Sequence, residues 1–126
     1  MAYEQLKLEN QLCFPLYAAS RLVIQAYQPH LDKLGITYPQ YLVLMVLWET
    51  DSIAVSEITH RLILNTNTIT PVLKRMEAQG IITRQRSEED ERKVIVTLTP
   101  KGKDLQIKAA SIPEMLVAGL VSSELR

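Results

Sequence analysis

One cysteine, one phenylalanine, one tryptophan and two histidines in 126 residues are scarcities that narrow what this chain can do. A lone thiol cannot close an intramolecular disulfide. Neither His30 nor His60 has a second ligand at helix or zinc-knuckle spacing, so a disulfide scaffold and a structural metal site are both poor readings. Cys13 is therefore either an inert apolar filler or a reactive thiol. Long apolar runs are also missing: the longest, Tyr41 to Trp48, is far shorter than the roughly 20 residues a membrane span needs. The N-terminus lacks a basic segment followed by an apolar stretch, which leaves a soluble, cytoplasmic protein with no membrane partner as the expectation. No residue pattern calls for a cofactor.

What is present is 47% hydrophobic residues, enough for one core but too short a chain for two ordinary domains, so residues 1–126 are expected to form a single domain. The formal net charge is zero, yet it is unevenly spread. From Arg61 to Lys103 there are nine basic residues against five acidic ones, an excess of +4 that leaves the remainder at −4.

Leu16, Ala19, Leu22, Val23, Ala26 and Tyr27 follow helical spacing and predict a long amphipathic first helix with Asn10 as its N-cap and Pro15 in its first turn. Pro29 can kink that helix and Gly35 ends it. Thr37, Tyr38 and Pro39 then open a second helix through about Trp48, apolar nearly all round and so expected to be buried. A third short helix is expected to start at Ser56, with Ser56 as its cap, Glu57 as a negative charge at its positive end, and Ile58, Leu62 and Ile63 as its apolar contacts. The segment from Asn65 to Gly80 places Ile69, Val72, Leu73 and Met76 on one face, with Asn67 and Lys74 opposite and Thr68, Thr70 and Arg75 at the flanks. A buried stripe backed by a polar, cationic one suits a groove-reading helix, and equally an ordinary surface helix.

Two β-type runs, Ile81 to Arg86 and Val94 to Leu98, read as a hairpin around an acidic loop. The loop is either a solvated turn or a wing, with Arg84, Arg86, Arg92 and Lys93 reaching around its carboxylates. Thr99 and Pro100 cap a helix to about Ser111, and Pro113 opens a last helical stretch to Arg126. The predicted fold is mainly α with a small β-hairpin. It is a winged helix-turn-helix core over about 37–100, flanked by helices over about 10–34 and 100–126, and that order accounts for the basic central segment.

The run Leu73-Lys-Arg-Met-Glu-Ala-Gln-Gly-Ile-Ile-Thr-Arg, then Asp90-Glu-Arg92, then Val96-Thr-Leu-Thr-Pro-Lys-Gly102 resembles the signature of the MarR family of transcriptional regulators. The resemblance implies that the two helical ends form a homodimer and that Asp90 orients Arg92 toward the minor groove of a pseudo-palindromic DNA operator. Asn67, Thr68, Thr70, Lys74 and Arg75 are the proposed contacts of the recognition helix. Within that family, Leu8-Glu-Asn-Gln-Leu-Cys-Phe14 and Ile36-Thr-Tyr-Pro-Gln-Tyr41 are similar to the organic-hydroperoxide-sensing repressors (OhrR type). In those proteins one peroxidatic cysteine is hydrogen-bonded by two tyrosines. The matching positions are Cys13, Tyr27 and Tyr38, and the resemblance implies that the tyrosines facing a given cysteine come from the partner protomer. Pro15 departs from the ordinary helix former expected at its position.

The chemistry runs parallel to the resemblance. A thiolate attacks peroxide, and a free cysteine, with a pKa of about 8.5, is mostly protonated at neutral pH unless its surroundings favour charge. First-turn N–H groups and phenolic O–H donors both do so. Oxidation gives a sulfenic acid that condenses with another thiol, and with no second cysteine in residues 1–126 that thiol is a small cellular one or lies on another molecule. An alternative is a regulator answering to a small phenolic ligand in the dimer cleft with Cys13 inert. A thiol peroxidase is a third reading, but the sequence supplies no resolving system, so the expectation is a protein that is not an enzyme.

Overall fold

The computed structural model describes residues 3–117, and its elements run α1 (Cys13–Leu34), α2 (Tyr38–Glu49), β1 (Ile53–Ala54), α3 (Val55–Leu62), α4 (Thr66–Ala78), β2 (Ile82–Arg86), β3 (Val94–Leu98) and α5 (Pro100–Ala109). Residues 112–117 are helical again, and the expected continuation to Arg126 lies outside the described residues from 118 on. The unbroken apolar run in α2 leaves it no polar face. It packs against α1, α3, α4 and α5 and buries Tyr41, Val43, Leu44, Val46 and Leu47 at the centre of the core. Its start is fixed locally: the Thr37 hydroxyl accepts from the Gln40 backbone N–H, and the Gln40 side chain accepts from the Thr37 backbone N–H, a reciprocal cap.

Helix α4 is anchored by Ile69, Leu73 and Met76, each almost wholly buried. Asn65 caps it by accepting from the Thr68 N–H at 2.8 Å, and Gly80, left-handed at φ 76°, follows its end as expected. Pro71 sits inside the helix, where it removes the hydrogen bond to the Asn67 carbonyl at a cost of roughly 3 kcal/mol. Three buried apolar side chains, at about 1.5–3 kcal/mol each, outweigh that cost.

The hairpin is present, with Ile82 opposite Leu98 and Arg86 opposite Val94. It belongs to a three-stranded sheet of order β1-β3-β2, and the third strand was not foreseen. β1 is only two residues long and pairs Ile53 with Val96. Asp51 sets its approach, since Oδ1 accepts from the Leu98 backbone N–H at 2.9 Å while Ser52 turns the chain at φ 57°.

Three expected details are corrected. Asn10 does not cap α1: the helix begins at Cys13 with no side-chain cap, and the Asn10 amide instead donates to the Glu4 carbonyl at 2.6 Å. Ser56 does not cap α3, which begins one residue earlier without a side-chain cap. Ile63 makes no core contact, because it ends α3 in a left-handed conformation (φ 56°) and is 91% exposed. Pro29 lies inside α1, which continues to Leu34.

Within this chain α1 buries only Leu31 completely. Leu12, Leu16, Tyr17 and Leu22 stand exposed along it, as do Ile107, Met115 and Val117 near the other end of the sequence. The apolar stripe that predicted an amphipathic helix is real, but most of it faces outward.

Candidate nucleic-acid interface and thiol site

The exposed side of α4 carries the residues expected there. Asn67, Thr68, Lys74 and Arg75 are exposed, and Thr70 is half-buried. Two of the hydroxyls already donate within the helix: Thr68 Oγ1 to Asn65 Oδ1 at 2.9 Å and Thr70 Oγ1 to the Thr66 carbonyl at 2.7 Å. Toward an incoming ligand they remain acceptors. Pro71, which has no N–H, makes no hydrogen bond to the Asn67 carbonyl beside them.

The acidic loop between β2 and β3 is an ordered turn. Ser87 N–H donates to the Lys93 carbonyl at 2.8 Å, and Ser87 Oγ accepts from the N–H groups of Glu89 and Asp90. Asp90 Oδ1 accepts from both the backbone N–H (3.0 Å) and Nε (3.3 Å) of Arg92, so the two lie together, with the arginine side chain 91% exposed. Arg84 and Arg86 behave otherwise. Arg84 turns back to α4 and donates to Glu77 from both its backbone N–H and Nη2, while Arg86 Nη1 donates to the Glu91 carbonyl at 2.8 Å. The bond from Arg84 holds the Glu77 carboxyl below its ordinary range. A cleft of about 330 Å³ opens between the start of α3, α4 and the wing. Ser56, Thr66, Thr70, Arg84, Arg92 and Lys93 line it, three cations facing three hydroxyls.

At the other end of the chain, Cys13 is the first residue of α1 and is exposed. With Gln11, Phe14 and Tyr17 it lines an open, largely apolar pocket. Tyr27 and Tyr38 lie together, ring centroids 5.5 Å apart, and Tyr41 joins them at 5.6 and 6.4 Å. Burial, and then the neighbouring Tyr27, push the Tyr38 and Tyr41 phenols above their ordinary pKa, so both stay protonated donors at neutral pH. Cys13 and Tyr27 are fourteen positions apart on one helix, about 21 Å at 1.5 Å per residue. The chain does not bring its own thiol to its own tyrosines.

The family profile described as transcriptional regulator SarA/Rot matches residues 25–108, from late α1 through the wing to α5. The chain belongs to this family of transcriptional regulators. A solved MarR transcriptional regulator from Methanosarcina mazei Go1 is 29% identical to this regulator, covers 86% of the chain and 76% of its own, and superposes with a TM-score of 0.69, in keeping with the MarR resemblance. The organic hydroperoxide resistance transcriptional regulator of Bacillus subtilis (strain 168) is 56% identical over 111 residues, which are 88% of this chain and 76% of that protein. AbfR of Staphylococcus epidermidis, solved in an overoxidised form bound to DNA, is 43% identical, covers 97% of this chain and 93% of its own, and gives a TM-score of 0.82.

Several groups around these sites escaped the sequence reading. Tyr41 belongs to the aromatic cluster, and its i+3 spacing from Tyr38 was the available signal. Glu77 holds Arg84 across the turn from α4 to β2. Gln40 is the one buried polar side chain among the described residues, and Thr37 with Gln three positions on is the sequence form of a capping box. No helix among the described residues is long and apolar enough to cross a membrane.

Proposed function

We propose that this regulator is a homodimeric, DNA-binding repressor that senses organic hydroperoxides through Cys13 and then releases its operator. The observation that carries the reading is the position of the lone thiol, exposed in an apolar pocket at the head of a helix whose outward face is also apolar. That face needs covering, and a second copy supplies a matching one. The 56% identity to an organic hydroperoxide resistance regulator and the likeness to a DNA-bound one support both halves.

In the dimer, Tyr27 and Tyr38 of one protomer face Cys13 of its partner and donate to the thiolate. The thiolate attacks the terminal peroxide oxygen, the O–O bond breaks, the alcohol leaves with a proton from solvent, and cysteine sulfenic acid remains. A small thiol then condenses with it, forming an S–S bond and releasing water. The adduct does not fit the packed site of the reduced thiol, so the helices around it shift. Two α4 helices, about 34 Å apart in adjacent major grooves of a pseudo-palindrome, lose their spacing. Asn67, Thr68, Thr70, Lys74 and Arg75 serve the groove, and Arg92, held by Asp90, serves the minor groove.

Intact mass after hydroperoxide and thiol should show one thiol-sized adduct at Cys13, with operator binding lost in parallel. Cys13→Ser should bind the operator and keep it under hydroperoxide. A Cys13→Ser protein that still releases DNA would overturn the sensor and favour a small ligand in the dimer cleft.

A further inference from the structure

The junction between α1 and α2 is tied to the far end of the recognition helix by two glutamine side chains. Gln40, 1% exposed in the first turn of α2, accepts from the Thr37 backbone N–H through Oε1 (3.1 Å) and donates through Nε2 to Gln79 Oε1 (3.0 Å). Gln79 is the residue that closes α4, and its Nε2 donates onward to the carbonyl of Gly35, the residue that closes α1 (3.1 Å). Its backbone carbonyl accepts from Lys101 Nζ of α5 at 2.9 Å. One side chain thus holds the end of α1, the start of α2 and the end of α4 in a fixed relation. The buried Gln40 amide depends on this tie, because a buried donor or acceptor left without a partner is costly.

The placement of the aromatic cluster gives the tie a purpose. Tyr38 is the first residue of α2, two positions before Gln40, and Tyr27 is on α1 two turns before Gly35. Whatever displaces these tyrosines moves the junction that Gln40 and Gly35 terminate. A hydrogen bond of 3.0 Å is gone by about 3.6 Å, so a shift of well under 1 Å either drags Gln79 along or breaks the relay. Either result acts on α4 at its C-terminal end.

We infer that the Gly35–Gln79–Gln40 amide relay couples the tyrosine cluster to the recognition helix, with Gln79 as a positioning residue for operator release. The inference rests on the sensor reading above and adds the route by which it reaches the DNA.

The test is the ratio of operator affinities of the reduced and the fully oxidised dimer, measured for the parent, Gln79→Met and Gln79→Glu. Methionine keeps the length of the side chain and loses both hydrogen bonds; glutamate keeps the acceptor for Gln40 and loses the donor to Gly35. Both variants should stay folded by thermal unfolding, bind the operator when reduced within a few-fold of the parent, and form the Cys13 adduct at the parent's rate by mass. The reduced-to-oxidised ratio should fall by roughly tenfold, within the range of 2- to 30-fold expected of coupling residues. Gln40→Met added to Gln79→Met should lower it no further, as for two parts of one link. If the parent releases DNA on oxidation and both Gln79 variants release it equally, the relay is overturned and the sensor stands. If the fully oxidised parent holds its operator, the sensor reading falls and the relay with it.

Discussion

A single oxygen of Asp90 holds Arg92 at two points, the backbone N–H at 3.0 Å and the side-chain Nε at 3.3 Å. The guanidinium keeps its remaining N–H groups for a partner outside the chain. Arg92→Ala should therefore weaken operator binding and lower the slope of log affinity against log salt by about one unit. Asp90→Ala leaves the charge and removes its aim, so affinity should fall with the slope unchanged. Fold stability should move by less than about 1 kcal/mol in either variant, because exposed ion pairs contribute little. Salt titrations of operator binding read both effects, and an Arg92→Ala protein with the parent's affinity and slope would remove the wing arginine from the interface.

Removing one phenol at a time separates thiolate stabilisation from packing. Tyr27→Phe and Tyr38→Phe should leave operator binding by the reduced protein near the parent's. They should slow the reaction of Cys13 with an organic hydroperoxide by roughly tenfold to a hundredfold, the rate equivalent of about 1.5–3 kcal/mol for a hydrogen bond to a charged group. Stopped-flow consumption of the thiol measures this directly. Parent-like rates in both variants would leave Cys13 reactive for some reason other than the tyrosines.

Glu77 makes stability depend on acid. Its folded-state pKa is lowered from 4.5, first by the side-chain bond from Arg84, so its contribution is present above the unfolded pKa and is lost as pH falls through the folded one. Glu77→Gln should melt at a lower temperature than the parent at neutral pH, and the gap should close below the ordinary carboxylate range. A gap that stays constant from pH 7 down to pH 3 would show that charge plays no part.

Gly102 is required by contact. A Cβ there would clash with the Ile81 carbonyl oxygen and stand 3.0 Å from Leu98 Cδ2. The first neighbour is backbone and cannot move cheaply, so Gly102→Ala should lose about 1–3 kcal/mol in urea unfolding. The helix propensity gained, up to about 1 kcal/mol, does not offset this. A variant as stable as the parent would mean that α5 can lift from Ile81 and β3 without penalty.

What the sequence made legible was whatever is decided within a few residues. α4 was placed because Asn65 and Gly80 bracket an apolar stripe of one period, and β3 because a short run of β-type residues follows a polar loop. Asn10 misled because cap preference is a local tendency, and a carbonyl six residues back took its amide instead. β1 is too short to carry a pattern, and what fixes it is an aspartate bonded to a strand 47 residues later. The same distance problem hid the Gln40–Gln79 bond, 39 residues apart in sequence, and the pairing of Arg84 with Glu77 across a turn. At the thiol site the residue types and the resemblance led to the expectation that Cys13 meets the tyrosines of a partner protomer, and the single chain, whose one helix holds Cys13 and Tyr27 far apart, leaves that pairing to a second copy.

Trp48 lies with its ring edge toward Tyr41, 6.3 Å between centroids, and its indole N–H donates to the Gly102 carbonyl at 3.0 Å. As the sole tryptophan of the chain, it gives the regulator an internal fluorophore at the seam between α2 and α5. Tyrosine light absorbed in the Tyr27–Tyr38–Tyr41 cluster passes to this indole, and its emission colour reports whether the seam is dry or wet. Any opening of this seam under hydroperoxide can thus be followed in real time by intrinsic emission, without attaching a dye to the sole cysteine.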